Sequence, residues 1–276
     1  MTDLRFADYF LFTQHSLDTF YKCPLKFKKR YMENLKWDSF PDDEVKKSLE
    51  LGSNFHLLAY RYFMGIDTGL TEDIEGFLEL RNWMEALMQT FPKVKGHSYY
   101  PEHKIRMSRD LLRLEANIDL IVIKGDNIDI WDWKTHGNSK AKKAKREAAV
   151  SLKHKESLQT IVYMFVLMEQ CERLFGRKFE PGNIRMCYWQ PDPPLVLTEI
   201  IYSSSMHGNF KEILEEKIKG ILSYDYKTFD KSLFQKSCKY CEFNWFCNNE
   251  RVDFEAVKED EDFLEELDWE GIEELT

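Results

Sequence analysis

The stretch that most constrains this chain is Leu111–Lys134, two β-type runs around the turn former Gly125-Asp126-Asn127. Runs of that length on either side of such a turn pair as an antiparallel hairpin. In the second arm, alternation places Ile128, Ile130, Asp132 and Lys134 on one face, and Asp129, Trp131 and Trp133 on the other. A strand at Tyr99–Ser108 precedes the hairpin. A lysine-rich linker and a strongly apolar helix, Ser157–Phe175, follow it. Two more strands are predicted at Ile184–Trp189 and Leu195–Tyr202, then a helix from about Gly208 to Leu222. Upstream, Ser16 is predicted to cap a helix running to Lys22, which Cys23-Pro24 breaks. A helix over Leu25–Leu35 starts on that proline, and two longer helical patterns cover Glu44–Gly65 and Thr71–Phe91. This order predicts an α/β fold in which an antiparallel meander feeds a helix. No internal repeat and no domain break is visible before residue 250.

Composition narrows the class. Gly and Pro together supply 20 of 276 residues, too few for collagen-like or Pro/Gly-rich disordered chains, and 43% hydrophobic residues can fill a substantial core. The longest apolar run, Ile161–Met168, is eight residues. A membrane helix needs about 20. No basic stretch followed by an apolar block opens the chain, so a soluble, cytoplasmic protein is expected. Charge is uneven: residues 251–276 carry twelve acids against Arg251 and Lys258, which leaves residues 1–250 at +1. The expected organisation is one domain over 1–250 and an acidic, flexible tail over 251–276. Phe254, Val257, Phe263, Leu264, Leu267 and Trp269 punctuate the tail, so docking to a partner or mimicry of DNA is the competing reading. Two basic clusters stand in the body, Lys22, Lys26, Lys28, Lys29 and Arg30, then Lys140, Lys142, Lys143, Lys145 and Arg146. Such runs are solvated helix faces unless a polyanion is implied by their surroundings.

Of six cysteines, Cys238, Cys241 and Cys247 fall within ten residues, the density of a metal or iron–sulfur site. Cys171 and Cys187 lie in apolar elements and are expected to be buried, inert thiols. Four thiolates suit tetrahedral zinc or an iron–sulfur cluster equally well on chemical grounds. Tyr240, Phe243, Trp245 and Phe246 are expected to form an apolar shell around them.

The hairpin also carries chemistry. Asp119 and Asp132 are thirteen residues apart on opposite arms, so pairing can set them side by side, with Lys134 on the face of Asp132. Two carboxylates can hold a hard divalent cation that acidifies water and neutralises phosphate charge, while the ammonium orients the water. A lone Asp-x-Lys is ordinarily a surface ion pair. Here it is joined by His56 on the third helix, by Gln159 and Tyr163 one turn apart, by Cys23-Pro24, and by the cysteine triplet.

The set Ser16-Leu-Asp-Thr-Phe-Tyr-Lys-Cys23-Pro24, Gly52-x3-His56, Ile118-Asp119, Asp132-Trp-Lys134-Thr135, Gln159-x3-Tyr163 and Cys238-x2-Cys241-x5-Cys247 resembles the RecB-like branch of the PD-(D/E)xK nucleases. That branch includes the iron–sulfur nucleases of the AddB type and the CRISPR-associated type. The resemblance covers roughly residues 16–247 and lies in the order and joint presence of the pieces. It implies a restriction-endonuclease-like mixed sheet flanked by helices, with N- and C-terminal segments joined at a four-cysteine cluster. It further implies that His56, Asp119, Asp132 and the Trp133 carbonyl hold Mg²⁺ or Mn²⁺, with Asp119, Asp132 and Lys134 as the catalytic set. Gln159 and Tyr163 support the site and contact DNA. Cys23, Cys238, Cys241 and Cys247 hold a [4Fe–4S] cluster, which the resemblance favours over zinc. Ala116 stands where the family usually has glycine, and Glu102 is a weaker candidate for a further acid.

The implied activity is metal-dependent DNA hydrolysis, by an exonuclease acting on single strands or DNA ends in repair, recombination or CRISPR-type processing. Lys140, Lys142 and Lys143 then become candidates for tracking the phosphate backbone. A helicase or a CRISPR adaptation protein is the expected partner, since the sequence has no phosphate-binding G-x4-G-K-[ST] loop to drive unwinding itself. The competing readings are a non-catalytic iron–sulfur DNA-binding module that assists a helicase, and a zinc-binding interaction scaffold.

Overall fold

Five strands form one sheet in chain order: β1 (Ser98–Arg109), β2 (Leu112–Lys124), β3 (Asn127–Trp133), β4 (Ile184–Pro191) and β5 (Pro194–Ile201). The structure, a computed structural model, describes residues 3–35, 43–70, 78–135 and 153–250. Only β3 and β4 run parallel; the other neighbours are antiparallel. A parallel neighbour cannot be reached by a tight turn and needs a crossover, here one that contains the apolar helix. The helices are α1 (Gln14–Lys22), α2 (Pro24–Phe27), α3 (Asp43–Met64), α4 (Leu78–Thr90), α5 (Leu158–Phe175), α6 (Ser204–Ser223) and α7 (Asn244–Asn248). This is the mixed, helix-flanked α/β sheet that the sequence pattern and the resemblance implied.

Each face of the sheet has its own core. On one, α1, α5 and α6 bury Leu17, Val162, Phe165 and Leu214 against Leu114, Ile118, Ile121 and Ile130. On the other, α3 and α4 bury Phe55, Trp83 and Leu87 against Leu120, Trp131, Trp133 and Trp189. Each such side chain contributes about 1.5–3 kcal/mol by leaving water. The alternation expected for β3 is therefore met, with Ile128 and Ile130 in one core and Trp131 and Trp133 in the other. α5 carries apolar residues almost all round, as a helix covering a sheet beneath a second layer must. Ser157 caps its start, accepting from the Thr160 N–H, and left-handed Gly176 ends it.

Three helix boundaries differ from the sequence reading. α1 starts at Gln14 because Thr13, not Ser16, is its cap; Ser16 sits three residues on and closes a reciprocal capping box. α2 does begin at Pro24, but the run finishes as a π-helical turn, Lys28–Met32, before Leu35. α6 starts at Ser204 behind the Ser203 cap, four residues before Gly208. For α1 and α6 the side-chain oxygen that satisfies the first free N–H groups fixes the start, and several serines and threonines compete for that position. Among the described residues no helix is long and apolar enough to cross a membrane.

Candidate active site

Strand register sets the acids in line. Pro101 faces Leu120 and His103 faces Ile118, so Glu102 stands opposite Asp119. Leu120 faces Trp131, so the next position along places Asp119 opposite Asp132. Asp132 neighbours Tyr188, and Tyr188 neighbours Thr198. One row of side chains thus crosses all five strands.

The sheet is distorted along that row. Glu102 has φ of 45°, a left-handed backbone that costs energy for a residue with a Cβ. In β2, Leu112, Leu114, Ala116 and Ile118 join one core, but the same core resumes at Ile121 and Ile123 while Leu120 and Val122 turn to the other. Alternation slips at Asp119. Regular β2–β3 pairing stops at Leu120–Trp131, and the Trp133 N–H donates to Asp119 Oδ2 instead (2.6 Å). The acids gather where the ladder hydrogen bonds end.

On one side of the row, α3 delivers His56 from the edge of its apolar stripe, beside fully buried Phe55. His56 Nδ1 lies 3.0 Å from Glu102 Oε1 and 3.6 Å from Asp119 Oδ1. Among the described residues, His56, Glu102 and Asp119 are the one group of three such donors with ligand atoms all within 4.8 Å. On the other side, α5 delivers Gln159. Its Nε2 donates to Asp132 Oδ1 (2.6 Å), and its Oε1 accepts from Lys134 Nζ (3.0 Å). Lys134 Nζ also lies 2.9 Å from Asp132 Oδ2 and 5.1 Å from the centre of the Tyr188 ring. This buried oxygen meets Lys134 as an ion pair and accepts no other hydrogen bond. Tyr163 follows Gln159 by one turn, with its hydroxyl 3.5 Å from Gln159 Nε2.

Burial drives the electrostatics. It pushes Asp132 up to about 6, against the pull of Lys134, and Asp119 up to about 6, against the pull of His56. Burial would lower His56, but Asp119, hydrogen-bonded Glu102 and Asp132 outweigh it and hold the imidazole up at about 9. Burial, reinforced by Asp132 and Asp119, raises Tyr163 well above its usual range, so it stays a neutral phenol. Three acids and an imidazole crowd one buried locus that lacks sufficient positive charge. An oxygen-rich set with one imidazole fits a hard divalent cation.

The sequence reading named His56, Asp119, Asp132, Lys134, Gln159 and Tyr163, and the structure brings them together. Glu102 is drawn fully into the group. Tyr188 and His154 were missed. His154 is buried, stacks on Tyr188 at 4.1 Å, and bonds Thr198 at 2.8 Å; burial, then Lys134 and Lys153, hold it down at about 3. No local pattern marks these two residues: the non-local β3–β4 pairing carries Tyr188 to the site, and His154 joins it by stacking on Tyr188. Lys140, Lys142 and Lys143 lie outside the described residues, as does the 251–276 tail.

The four expected cluster cysteines come from both ends of the chain. Cys23 caps the C-terminal end of α1, and Cys238 and Cys241 are linked by a turn before α7, which contains Cys247. Burial raises the Cys23 thiol, with Cys238 and Cys247 adding to the effect; burial also raises Cys241 to about 12, and Cys23 contributes. Lys26 pairs with Glu242 at 2.8 Å, and Lys29 Nζ lies over the rings of Phe243 and Phe246. The first basic cluster is thus partly used to hold the C-terminal segment. The expected apolar shell is incomplete: Phe243 is buried, but Trp245 and Phe246 are about half exposed, at 50% and 56%. Five-residue α7 is too short to bury two faces, and the side chain of Tyr240 lies outside the described residues. Cys171 and Cys187 are buried as expected, and burial pushes Cys187 up to about 12.

Residues 11–248 match the family described as the PD-(D/E)XK nuclease superfamily. The chain belongs to this superfamily. Its members are nucleases that use divalent metals, which makes DNA the implied substrate class. No curated protein gives a significant match to the chain.

Proposed function

We propose that this PD-(D/E)XK nuclease is a Mg²⁺- or Mn²⁺-dependent exonuclease on single-stranded DNA or DNA ends, of the RecB-like, iron–sulfur type. The observation that carries the reading is the row Glu102–Asp119–Asp132 with its two aspartates buried, closed by His56 on one side and by Lys134 and Gln159 on the other. His56, Asp119, Asp132 and the Trp133 carbonyl would hold the ion, with Glu102 bracing His56. A residue's N–H and C=O face the same neighbouring strand, and the Trp133 N–H already faces Asp119. When bound, the ion supplies Lewis-acid stabilisation of phosphate charge and lowers the pKa of water.

The chain's own groups do the rest. Lys134, fixed by Asp132 and Gln159, presents an ammonium that orients water and offsets charge building on the scissile phosphate. Gln159 holds that lysine, Tyr163 backs Gln159, and both contact the strand. Lys140, Lys142 and Lys143 follow the phosphate backbone, which makes DNA affinity fall steeply with salt.

Cys23, Cys238, Cys241 and Cys247 bind a [4Fe–4S] cluster in preference to zinc, joining the chain ends of one 1–250 domain, with 251–276 as an acidic appendage. The mutual influence of their thiols and the Lys26–Glu242 pair support this. Anaerobically purified protein is expected to be brown, with charge-transfer absorbance in the visible and stoichiometric iron and sulfide. Work in DNA repair, recombination or CRISPR-type processing beside a helicase or adaptation protein fits the same reading.

The deciding assay is Mn²⁺-dependent cutting of end-labelled single- and double-stranded DNA. Asp132→Ala and Lys134→Ala are each expected to lose ~10³-fold or more, as for groups that stabilise transition-state charge. Equal cutting by wild type and both variants would refute the assignment.

A further inference from the structure

We propose that Gln14, at the start of the first helix, is a positioning residue of this nuclease: through the Tyr163 hydroxyl it fixes the Gln159 carboxamide that holds Asp132 and Lys134. The inference rests on the nuclease reading above and extends it to an element whose assigned role was to carry Cys23.

Gln159 is the joint between acid and base. Its amide nitrogen meets a carboxylate and its amide oxygen meets an ammonium; the reverse orientation would set oxygen against carboxylate and N–H against ammonium. These two contacts choose the amide's orientation, and a third sets how far along the row the side chain reaches. Tyr163 OH, 3.5 Å from Gln159 Nε2, is that contact. The phenol is itself held from the far side, where Gln14 Nε2 donates to it at 3.1 Å.

Gln14 is well placed to act as an anchor. It is only 6% exposed, so its amide cannot exchange partners with water freely. It directly follows the Thr13 cap, and two residues earlier Phe12 is bonded on both sides to β2. The Phe12 N–H donates to Arg113 O (2.7 Å), and the Glu115 N–H donates to Phe12 O (3.0 Å). The strand that carries Asp119 therefore also sets the position of Gln14. The chain Gln14–Tyr163–Gln159 ties the two acid-bearing arms together through α1 and α5, independently of the β2–β3 ladder that ends at Leu120–Trp131. Were Gln14 merely a partner for a buried phenol, its loss would lower stability and leave turnover intact.

The test uses full-length, iron-loaded protein, saturating Mn²⁺ and end-labelled DNA, with kcat, KM and melting temperature measured together. Gln14→Leu removes the donor at similar volume; Gln14→Met replaces it if the leucine variant fails to fold. The expected result is a kcat about 10-fold or more below wild type at unchanged KM, the range for losing a group that orients a metal-site residue. Tyr163→Phe should lose a similar factor, and adding Gln14→Leu to it should lose little more, since both cut one chain of contacts. Phe20→Leu, which thins the core beneath the same helix, should lower the melting temperature without lowering kcat. A wild-type kcat in Gln14→Leu, full additivity with Tyr163→Phe, or an equal kcat loss in Phe20→Leu would each overturn the inference. If Asp132→Ala still cuts, the nuclease assignment itself falls; a dead Asp132→Ala beside an unimpaired Gln14→Leu removes only the role of Gln14.

Discussion

The acidic row and the segments that carry Cys23, Cys238, Cys241 and Cys247 are assembled in opposite ways. The row is set by backbone register: once β1, β2 and β3 pair, Glu102, Asp119 and Asp132 must align, and the two aspartates end up buried. The cysteines come from segments 215 residues apart, joined by a few contacts such as Lys26–Glu242 and Lys29 over Phe243, with neighbouring Trp245 and Phe246 half exposed. A register-built site has its donors side by side before any ligand arrives. A site built from chain ends has little of its own to hold it. On the function proposed above, the first is the catalytic site and the second the staple.

Four measurements would break or sharpen that contrast. The first concerns the ion at the row. His56 is held at about 9 by the surrounding acids, and imidazole must be neutral to ligate, so binding below that pH expels a proton. Mn²⁺ affinity should fall about tenfold per unit as pH drops from 9 towards 6, and more steeply once Asp119 and Asp132 protonate near 6. Calorimetry in buffers of different ionisation heat would measure the released proton; a pH-independent affinity would remove His56 from the ligand set.

Next comes the staple. Cys23→Ser should cost about 4 kcal/mol, or roughly 10 °C in melting temperature, because it opens a very long loop. Cys171→Ser, outside the cluster, should keep the iron. If both variants melt alike, the cluster does not close the chain.

The row should show the reverse sign. Asp132 has a folded pKa of about 6 against an ordinary 3.8, so wild type loses stability as pH rises through that interval. In the presence of chelator, Asp132→Asn should be about 2 kcal/mol more stable at pH 7 and no different below pH 4. Denaturant melts at the two pH values would check this, and a variant less stable at both would mean that Lys134 needs the charge more than the fold resents it. The smallest effect belongs to Lys26→Ala. Its bridge to Glu242 is partly buried but single, and should cost under about 1 kcal/mol if the cluster holds the segment. A much larger loss would make the ion pair, rather than the cluster, the principal clasp.

Much of the site was legible in the chain. Asp132 and Lys134 share a face because they are two residues apart in a strand, and Gln159 and Tyr163 share one because they are four apart in a helix. The Gly125-Asp126-Asn127 turn fixes the hairpin register, and with it the facing of Asp119 and Asp132. The helix starts were less legible: Thr13 and Ser16 are equally good caps in isolation, and the bridge from Phe12 to β2 places the turn before the first of them.

The sequence by itself determined everything governed by short spacing: the α/β order, the hairpin, the two cores of β3, and which acids could meet. Tertiary structure alone decided how Glu102 and Asp119 leave the regular alternation together. It also decided that Tyr188 and His154 back Lys134, and that Gln14 reaches the site at all. The physical reason is range. Periodicity and turn chemistry act over a few residues, whereas a left-handed Glu102, a parallel β3–β4 register and a hydrogen bond spanning 149 residues exist only after distant segments have packed.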